Sequence, residues 1–276
     1  EYEPIFHANS STRAVLESAY RLPHVPIFNT AALQHHFQAE GLGIYDPDYR
    51  EPQRPPALVF EHAICDLSPP SREALERRTV RKLLFYARPE RHAERNLFAV
   101  GLLALRQALA KGYFPGPWEF HGIGTLIARC RVDLGEGRNL HIVPRVSQAQ
   151  YEQFVPGFDV GLSLMMAPHP SVLPFEMLSA GMVVVTNTYG HRRKEFFAGI
   201  SPNLVPCLPE VDSVAEGLRQ AAAKATDTDA RLRDATVAWN RSWDEAFSPA
   251  FIRRLLAAMD GVATPAPAPA ADSEDA

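Results

Sequence analysis

Arginines follow the first of several short apolar runs in the sequence, at the place where a strand would end. Arg88 comes directly after the run 82–87, and Arg95 lies a little further on. A guanidinium stays charged at physiological pH and binds phosphate through two parallel hydrogen bonds, and a helix N-terminus also attracts anions. We therefore expect Arg88 to contact a phosphate group, whereas Arg95 fits either that role or a solvated position on a helix.

The next two apolar runs end in residues that let a ligand approach the backbone. The second run finishes with Gly122 and Gly124, and the third run ends at Val143 and is followed by Arg145. Glycine has no Cβ, so a ligand can lie against its backbone, although the same pair of glycines also suits a tight turn. Arg145 lies where the base or the ribose of a nucleotide would be met.

The segment 168–181 is the richest in residues able to do chemistry. Pro174 suits the first turn of a helix, which places Glu176 in that turn. The Glu176 carboxylate is then able to accept hydrogen bonds from two hydroxyl groups, as a ribose requires. A glutamate in a first turn also stabilises a helix without any ligand, and this alternative stays open. His169, between two prolines, faces either a substrate or the solvent.

The elements that must position these residues alternate between strand and helix. Continuous apolar strands separated by helices favour a doubly wound α/β domain, a Rossmann-like parallel sheet covered on both faces. Such sheets place ligands beyond the carboxyl ends of their strands. We predict strands at 82–87, 118–124, 140–143, 160–165, 182–186 and 204–208, and helices at 94–111, 174–180 and 211–225.

The leading and trailing segments have a different pattern. Residues 31–39 should be a helix with the pair Asn29-Thr30 at its N-cap, between short strands at 25–29 and 57–60. Residues 230–259 should be helical, with Trp239, Trp243 and Phe247 on one packing face and with a second helix or a kink starting at Ser248-Pro249.

Proline marks how the chain is organised. It accounts for 24 of the 276 residues, and nine of these lie before residue 71. We expect 1–70 to be the closing part of an α/β domain, 71–81 a linker, 82–229 the nucleotide-binding domain, 230–261 C-terminal helices and 262–276 a disordered tail. The first residues have neither an initiator Met nor a signal peptide, so we expect the chain to begin inside a longer polypeptide.

Composition excludes several classes of protein. The 28 Lys and Arg against 32 Asp and Glu give a net charge of −4, which is not that of a general nucleic-acid binder. No apolar run is long enough to span a bilayer. Three widely spaced cysteines fit neither a disulfide framework nor a zinc site, and they predict a cytoplasmic protein.

The runs 171–181 (SVLPFEMLSAG) and 183–187 (VVVTN) resemble the donor-sugar motif of retaining family-4 glycosyltransferases, which have the two-domain GT-B fold. The run 84–89 (LFYARP) is similar to the strand end at which that family binds phosphate. More narrowly, the residues at 1–6, 20–23 and 168–171 resemble bacterial rhamnosyltransferases that build O-antigen and S-layer glycans from dTDP-rhamnose.

The resemblance implies a role for each candidate residue. Arg88 would bind the donor diphosphate, and Arg95 is left open as a second residue for that role. Glu176 would bind the ribose hydroxyls, and residues 143–145 would bind the base. Thr186 and Asn187 would form the floor beneath the sugar. The full set of donor-binding candidates is Arg88, Arg95, Gly122, Gly124, Val143, Arg145, His169, Leu173, Pro174, Glu176, Thr186 and Asn187.

The resemblance also implies the chemistry and the partners. The sugar would pass from a nucleotide diphosphate to a glycan or lipid-linked glycan acceptor with no metal or other cofactor, because basic side chains and helix dipoles neutralise the departing diphosphate. No DxD lies near a strand end, which agrees with this expectation. Contact with the inner face of the membrane, or with other glycan-synthesis proteins, is left open.

One departure from the family favours a second interpretation. The family carries another glutamate eight positions before the ribose-binding one, and Pro168 is at that position. The chain is therefore either a glycosyltransferase or an inert module that binds sugar nucleotides and needs a missing N-terminal domain or a partner. A dinucleotide-dependent oxidoreductase is disfavoured because no strand is followed by GxGxxG, and a Ser/His/Asp hydrolase because no GxSxG is present.

Overall fold

The structure is a computed structural model that describes residues 2–7, 9–49, 54–126 and 128–263. It divides into two compact units. Residues 62–243, with Tyr2, form the sheet unit, and residues 3–61 together with those from 244 onward form the small unit. Compared with the expected boundaries, residues 62–81 and 230–243 belong to the sheet unit. Of the predicted tail, 262–276, the first two residues end the last helix, and residues 264–276 lie outside the described residues.

The small unit begins with short elements around a two-stranded parallel sheet. They are a 3₁₀ turn (Glu3–Phe6), α1 (Ser11–Ala19), β1 (Ile27–Asn29), α2 (Ala31–Ala39), a 3₁₀ turn (Gly43–Tyr45) and β2 (Leu58–Phe60). The Thr30 hydroxyl caps α2 by accepting from the Leu33 N–H, as its sequence position predicts. Phe28 and Phe37 pack edge to face at 5.0 Å between their ring centroids, and they form part of this unit's core.

Seven strands form the sheet of the sheet unit, in the order β5-β6-β4-β3-β7-β8-β9. Every neighbouring pair is parallel except β5 with β6. The strands are β3 (Arg81–Tyr86), β4 (Trp118–Thr125), β5 (Cys130–Gly135), β6 (Arg138–Pro144), β7 (Val160–Leu162), β8 (Val183–Asn187) and β9 (Leu204–Cys207). The central strands are buried along most of their length, as expected for a parallel sheet covered on both faces.

Helices cover both faces of this sheet. They are α3 (Arg72–Glu76), α4 (Phe98–Ala110), α5 (Gln148–Phe154), α6 (Val172–Ser179), α7 (Lys194–Ala198), α8 (Val211–Thr226) and α9 (Thr228–Arg233), with 3₁₀ turns at Arg91–Asn96 and Val155–Gly157. One core cluster lies beneath α4 and α8, and a second lies beneath α5, α6 and α7. The predicted doubly wound α/β class is therefore confirmed.

One strand was missed by the sequence interpretation, and the sheet is not wholly parallel. Residues 130–135 form β5, which pairs with β6 as an antiparallel hairpin at one edge of the sheet. The turn between them has positive φ at Gly135, Glu136 and Gly137. Strand β5 alternates exposed and partly buried residues, so its apolar content is too low to show as an apolar run.

Two predicted helices are interrupted. The helix expected at 94–111 is a 3₁₀ turn followed by α4, because Leu97 adopts a left-handed conformation (φ 51°) between them. The helix expected at 230–259 is broken into α9, α10 (Trp243–Ala246) and α11 (Pro249–Ala263). Trp239 lies in the non-helical stretch between α9 and α10, so the aromatic spacing of four residues did not mark a helical face there.

The final helix belongs to the small unit. The Ser248 hydroxyl accepts a hydrogen bond from the Phe251 N–H, so α11 begins at Ser248-Pro249 as predicted. The rings of Phe247 and Phe251 pack against Phe60 at the end of β2. Among the described residues, no helix combines the length and the apolar character that a bilayer crossing requires.

Candidate functional site

A cavity of about 320 Å³ opens at the carboxyl edge of the sheet, beyond β3, β4 and β6. It contains four of the predicted site residues, Gly124, Arg145, Leu173 and Glu176, although these come from three separate parts of the sequence. The complete lining is Cys65, Tyr86, Ile123, Gly124, Arg145, Val146, Gln148, Tyr151, Leu173 and Glu176.

Gly124 shapes one wall of this cavity through its backbone. It lies within β4 rather than in a turn after the strand, and its φ of +109° is a conformation that side-chain-bearing residues rarely adopt. A Cβ at this position would lie 2.3 Å from the Tyr86 ring. The missing side chain therefore allows the ring of Tyr86, the last residue of β3, to lie against the wall.

Glu176 supplies the acidic group of the site. Its residue surface is only 8% exposed, in a helix whose side chains from Pro174 onward are buried. The backbone N–H of Cys65 donates to Glu176 Oε1 at 3.3 Å. Ser179, further along α6, bonds through its hydroxyl to the backbone of Cys65 and Leu67, so segment 65–67 is fixed along this helix. The carboxylate is thereby held at the cavity wall.

Tyr151 brings a second oxygen to the same wall. It lies on α5, and the side chain of Gln150 closes a capping box with Ser147 at the start of that helix. Burial, followed by the negative charge of Glu176, raises the Tyr151 pKa above its usual value, so the hydroxyl keeps its proton. The hydroxyl oxygen is buried, and the Glu176 carboxylate lies close enough to affect its pKa.

Arg88 lies beside the cavity rather than in its wall. Its side chain is 9% exposed, and its Nη1 lies 3.5 Å from the hydroxyl of Tyr86, which does line the cavity. Nη2 donates to His92 Nε2 at 3.1 Å, and Nε lies 3.5 Å from Glu90 Oε2. Burial alone would lower the Arg88 pKa, but Tyr86 and Glu90 raise it above the ordinary value.

Glu90 joins the ends of β3 and β4. Its Oε1 accepts from the Thr125 hydroxyl and from the Leu126 N–H, both at 2.6 Å. Burial opposes ionisation, yet these hydrogen bonds and the charge of Arg88 lower the Glu90 pKa to about 2. Glu90 is therefore an ionised carboxylate that orders the strand ends and offsets part of the positive charge of Arg88.

Several predicted site residues lie away from this cavity and serve packing. Gly122 is inside β4, where a Cβ would come within 3.0 Å of Ala87 Cβ and Ile142 Cγ1. Val143 packs against the core beneath α5 and α6, and Pro174 is buried in the first turn of α6. The glycine at 122 thus permits close packing between strands.

Thr186 and Asn187 are buried at the end of β8 and do not line the cavity. Asn187 Oδ1 accepts from the Met165 N–H at 2.6 Å, and Nδ2 donates to the carbonyls of Met165 and Thr188, each at 3.1 Å. This amide ties the loop after β7 to the end of β8. The backbone of that loop is also fixed by the buried Arg192, which donates to the carbonyls of Met165 and Ala167 at 2.8 and 2.9 Å.

Of the two remaining candidates, Arg95 contacts that loop and His169 lies in it. Arg95 is half-buried, and its carbonyl accepts from the Met166 N–H at 2.7 Å. His169 is half-buried, with its Nδ1 within 2.8 Å of the Pro170 carbonyl, which requires a proton on Nδ1. Pro168 is buried, so this loop has no carboxylate at the position where the sequence lacks a glutamate.

A family model described as "WsaF, C-terminal domain" matches residues 81–219, which is half of the chain. The chain belongs to this family. The match runs from β3 into α8 and includes Arg88, Tyr151 and Glu176. The WsaF C-terminal domain therefore corresponds to most of the sheet unit.

A curated relative extends this match. The "O-antigen biosynthesis protein RfbC" of Myxococcus xanthus is 33% identical to the chain over 198 residues, which is 68% of the chain. The chain spans only 13% of the length of RfbC.

Solved structures show the fold. The chain is similar to the sucrose-phosphate synthase of Thermosynechococcus elongatus, with a TM-score of 0.60 and 14% identity over 94% of the chain and 66% of that protein. It is also similar to WaaG, "a glycosyltransferase involved in lipopolysaccharide biosynthesis", with a TM-score of 0.54 and 16% identity over 93% of the chain and 69% of WaaG. The Anabaena protein HepE, solved with UDP and glucose, gives a TM-score of 0.56 at 15% identity, over 91% of the chain and 67% of HepE. These likenesses confirm the predicted GT-B fold class for this chain.

The sequence interpretation missed six of the ten residues that line the cavity, and also Glu90 beside it. The six are Cys65, Tyr86, Ile123, Val146, Gln148 and Tyr151. A tyrosine in a helix or at the end of a strand gives no signal by itself, because only tertiary contacts bring its hydroxyl to a cavity. Glu90 was detectable in principle, since it lies in the polar segment after β3 that also holds Arg88.

Proposed function

We propose that the sheet unit binds the nucleotide-sugar donor of a glycosyltransferase in polysaccharide or O-antigen biosynthesis. The observation that carries this proposal is the cavity at the carboxyl edge of the sheet. It joins Glu176 and Tyr151 with the glycine wall at Gly124, and Arg88 lies beside it. Carboxyl-edge cavities are where open α/β sheets bind nucleotides. The matched family, the O-antigen relative and the glycosyltransferase neighbours support the same function.

In this proposal each group has one task. The base lies against Gly124 and Arg145, and a hydroxyl of the nucleoside sugar bonds to Glu176. Arg88 faces the diphosphate and stabilises the charge that develops when the bond between the donor sugar C1 and the diphosphate oxygen breaks. The bonding electrons go to the diphosphate, and the acceptor hydroxyl forms the new bond at C1 and passes its proton to the departing diphosphate. We further propose that this transfer retains the configuration at C1.

The finer assignment is the transfer of rhamnose from dTDP-rhamnose to a glycan or lipid-linked glycan. It rests on the likeness of the segments at 1–6, 20–23 and 168–171 to rhamnosyltransferases, and on the O-antigen role in the name of the relative. We place the reaction in the cytoplasm, at the inner face of the membrane where a lipid-linked acceptor is used.

The reaction is proposed to need no metal, because Arg88 and the helix N-termini near the site are able to neutralise the diphosphate. Donor binding and turnover should therefore be unchanged by EDTA. A loss of either that Mg²⁺ or Mn²⁺ restores would overturn this part of the proposal.

Calorimetry with dTDP, UDP and GDP tests the donor site directly. We expect at least one of these to bind, and Glu176→Gln to weaken it by about 10- to 100-fold, because a charged hydrogen bond to the ligand is lost. Glu216→Gln is the matched control, since Glu216 lies on the exposed side of α8 in a pair with Arg219. The assigned donor site would be refuted if none of the three nucleoside diphosphates bound, or if Glu176→Gln bound them as tightly as wild type does.

A second candidate function is a sugar-nucleotide-binding module without catalytic activity. The observation that favours it is Pro168, a buried proline where the resembled family has a glutamate at the donor sugar. Turnover separates the two functions. Release of dTDP from dTDP-rhamnose in the presence of a glycan acceptor establishes the transferase, and tight binding without turnover by the full-length protein establishes the inert module.

A further inference from the structure

A second cavity, of about 520 Å³, opens at the carboxyl edge of the sheet beyond β8 and β9. Its wall is built from residues 188–190, 193–195 and 207–209, and none of these lines the 320 Å³ donor cavity. The second cavity is therefore a separate space. It nevertheless lies at the edge where open α/β sheets bind their ligands.

Hydrogen bonds fix the wall formed by residues 188–193. The Thr188 N–H and the Thr188 hydroxyl both donate to the Cys207 carbonyl, at 2.8 and 3.2 Å, which joins the ends of β8 and β9. Tyr189 and Arg192 exchange backbone hydrogen bonds across a tight turn. The buried Arg192 guanidinium fastens this turn to the loop after β7. A wall that is already ordered lowers the entropic cost of binding a ligand.

The wall carries two cations that have no counter-charge. Arg193 and Lys194 are exposed, and within the part of the chain that the structure describes neither side chain forms an ion pair or a hydrogen bond. Glu195 also lines the cavity, so these three side chains together have a charge of +1. A guanidinium and an ammonium group are the side chains that bind phosphate oxygens. The cavity is therefore suited to a phosphate group.

Residues 207–209 add an apolar surface to the same cavity. Leu208 is 53% exposed, and its N–H donates to the Ser213 hydroxyl at 2.9 Å, so its position is fixed at the start of α8. Pro209 continues this surface. A phosphate ester joined to a prenyl chain, or to the apolar face of a sugar ring, fits this combination of charge and apolar contact.

The order of the strands places the second cavity next to the reacting end of the donor. In the proposed function the base lies at the ends of β4 and β6, and the diphosphate lies beside β3. The next strands along the edge are β7, β8 and β9. Because neighbouring strands are about 4.8 Å apart, β3 is separated from the gap between β8 and β9 by roughly 12 Å. This distance leaves room for the donor sugar between the two cavities, so the second cavity lies where an acceptor would be held.

We infer that the second cavity binds a phosphate group of the acceptor through Arg193 and Lys194. This inference rests on the proposed function and deepens it, because it assigns the acceptor to the class of phosphate esters. Such an acceptor is either a lipid-linked glycan, in which phosphate joins the lipid to the sugar, or a glycan that itself carries phosphate. Arg193 and Lys194 are positioning residues, and no bond is made or broken at them.

The test measures the binding of two phosphate esters, farnesyl diphosphate and glucose 6-phosphate, by calorimetry. Whichever of dTDP, UDP and GDP binds the protein is present at saturation, so that Arg88 and the donor cavity are occupied. We expect at least one ester to bind, and Arg193→Gln/Lys194→Gln to weaken its binding at least tenfold, because charged hydrogen bonds to the phosphate are lost. Tighter binding of farnesyl diphosphate assigns the phosphate to a lipid, and tighter binding of glucose 6-phosphate assigns it to a glycan.

Two further variants separate these charges from other causes. Arg193→Lys/Lys194→Arg keeps both charges and should retain most of the affinity for the ester. Arg253→Gln/Arg254→Gln removes another adjacent pair of exposed cations, on α11 of the small unit, and should bind the ester as wild type does. All three variants should bind the nucleotide as wild type does, since none of the changed residues lines the donor cavity.

Three results would overturn the inference and leave the donor site standing. Neither ester binds the nucleotide-saturated protein, or Arg193→Gln/Lys194→Gln binds the ester as tightly as wild type does, or the control Arg253→Gln/Arg254→Gln weakens binding equally, which would show a general effect of surface charge. If no nucleoside diphosphate binds wild type, the donor site itself is refuted, and the role of the second cavity in acceptor binding is refuted with it.

Discussion

Glu90 offers a direct test of how the strand ends at the site are held together. The substitution Glu90→Gln keeps the shape of the side chain and removes its charge. It weakens the two hydrogen bonds of 2.6 Å from Thr125 and Leu126, and it removes the negative partner 3.5 Å from Arg88 Nε. The variant should therefore be less stable at neutral pH, and the loss should depend on pH.

The size of the effect follows from the Glu90 pKa. A fall from 4.5 to about 2 corresponds to about 3 kcal/mol of preference for the ionised form in the folded protein. Solvent near this group screens part of that interaction, so we expect a loss of about 1–2 kcal/mol in the free energy of unfolding. For a unit of this size, the melting temperature should fall by roughly 2–8 °C.

The pH dependence has a definite sign. The folded protein depresses the pKa of Glu90, so its contribution is complete above the unfolded value of 4.5 and is lost as pH falls toward about 2. Urea unfolding of wild type and Glu90→Gln, measured from pH 7 down to pH 3, should show a constant difference to about pH 5. The difference should then shrink as the wild-type carboxyl takes up its proton.

A difference between the two proteins that stays constant down to pH 3 would refute this reasoning, because an effect of shape alone does not titrate. So would equal stability at pH 7. Glu216→Gln serves as the control, since its carboxylate is exposed on α8 and forms surface pairs with Arg219 and Gln220 of the same helix, which contribute little to stability. Its unfolding should follow wild type.

Two further predictions concern the sheet unit. Asp159→Asn should lower the free energy of unfolding, measured by urea titration, by about 3–5 kcal/mol. The reason is that the buried Arg231 guanidinium, 2.6 Å from Asp159, loses its counter-charge. A loss below about 1 kcal/mol would contradict this prediction. Gly124→Ala should destabilise by about 2 kcal/mol and weaken nucleotide binding, since its Cβ would displace the Tyr86 ring at the cavity wall. Gly112→Ala is the control, because it also has a positive φ but meets no atom within 4 Å, so nucleotide binding should be unchanged.

Local sequence rules predicted the elements whose signal lies within one segment. The helix at 31–39 has the expected bounds because Thr30 caps it and a left-handed glycine follows it. Strand β8 has five buried residues in a row, so it was visible as an apolar run. The helix containing Glu176 was predicted from Pro174, although the structure begins it two residues earlier, with Ser171 as its cap.

The features that were missed depend on contacts between distant residues. Strand β5 exists because it pairs with β6, and Leu97 adopts its left-handed conformation without any glycine or asparagine to signal it. Trp239 was placed on a helix by its spacing, yet its ring lies on Phe175 at 4.4 Å and its indole N–H donates to the His62 carbonyl. Tertiary packing decided these cases.

The site shows the same division. Gly124, near the end of a strand, and Glu176, near the start of a helix, both line the cavity, as their sequence positions predicted. Asn187 follows the same rule in the sequence, but its amide already bonds to the backbone of Met165, in the loop after the neighbouring strand β7. Sequence position alone does not reveal which polar side chain at a strand end is already bonded.

The two outer strands of the sheet affect how copies of the chain behave in concentrated solution. Strand β5, at one edge, exposes Arg131 and Asp133, and β9, at the other, contains Pro206, which has no N–H to donate. Charge and proline are both obstacles to pairing with the strand of another molecule. The β5–β6 hairpin and Pro206 therefore disfavour pairing between the edge strands of two molecules. Replacing Pro206 by a residue with a backbone N–H would favour such pairing and hence aggregation.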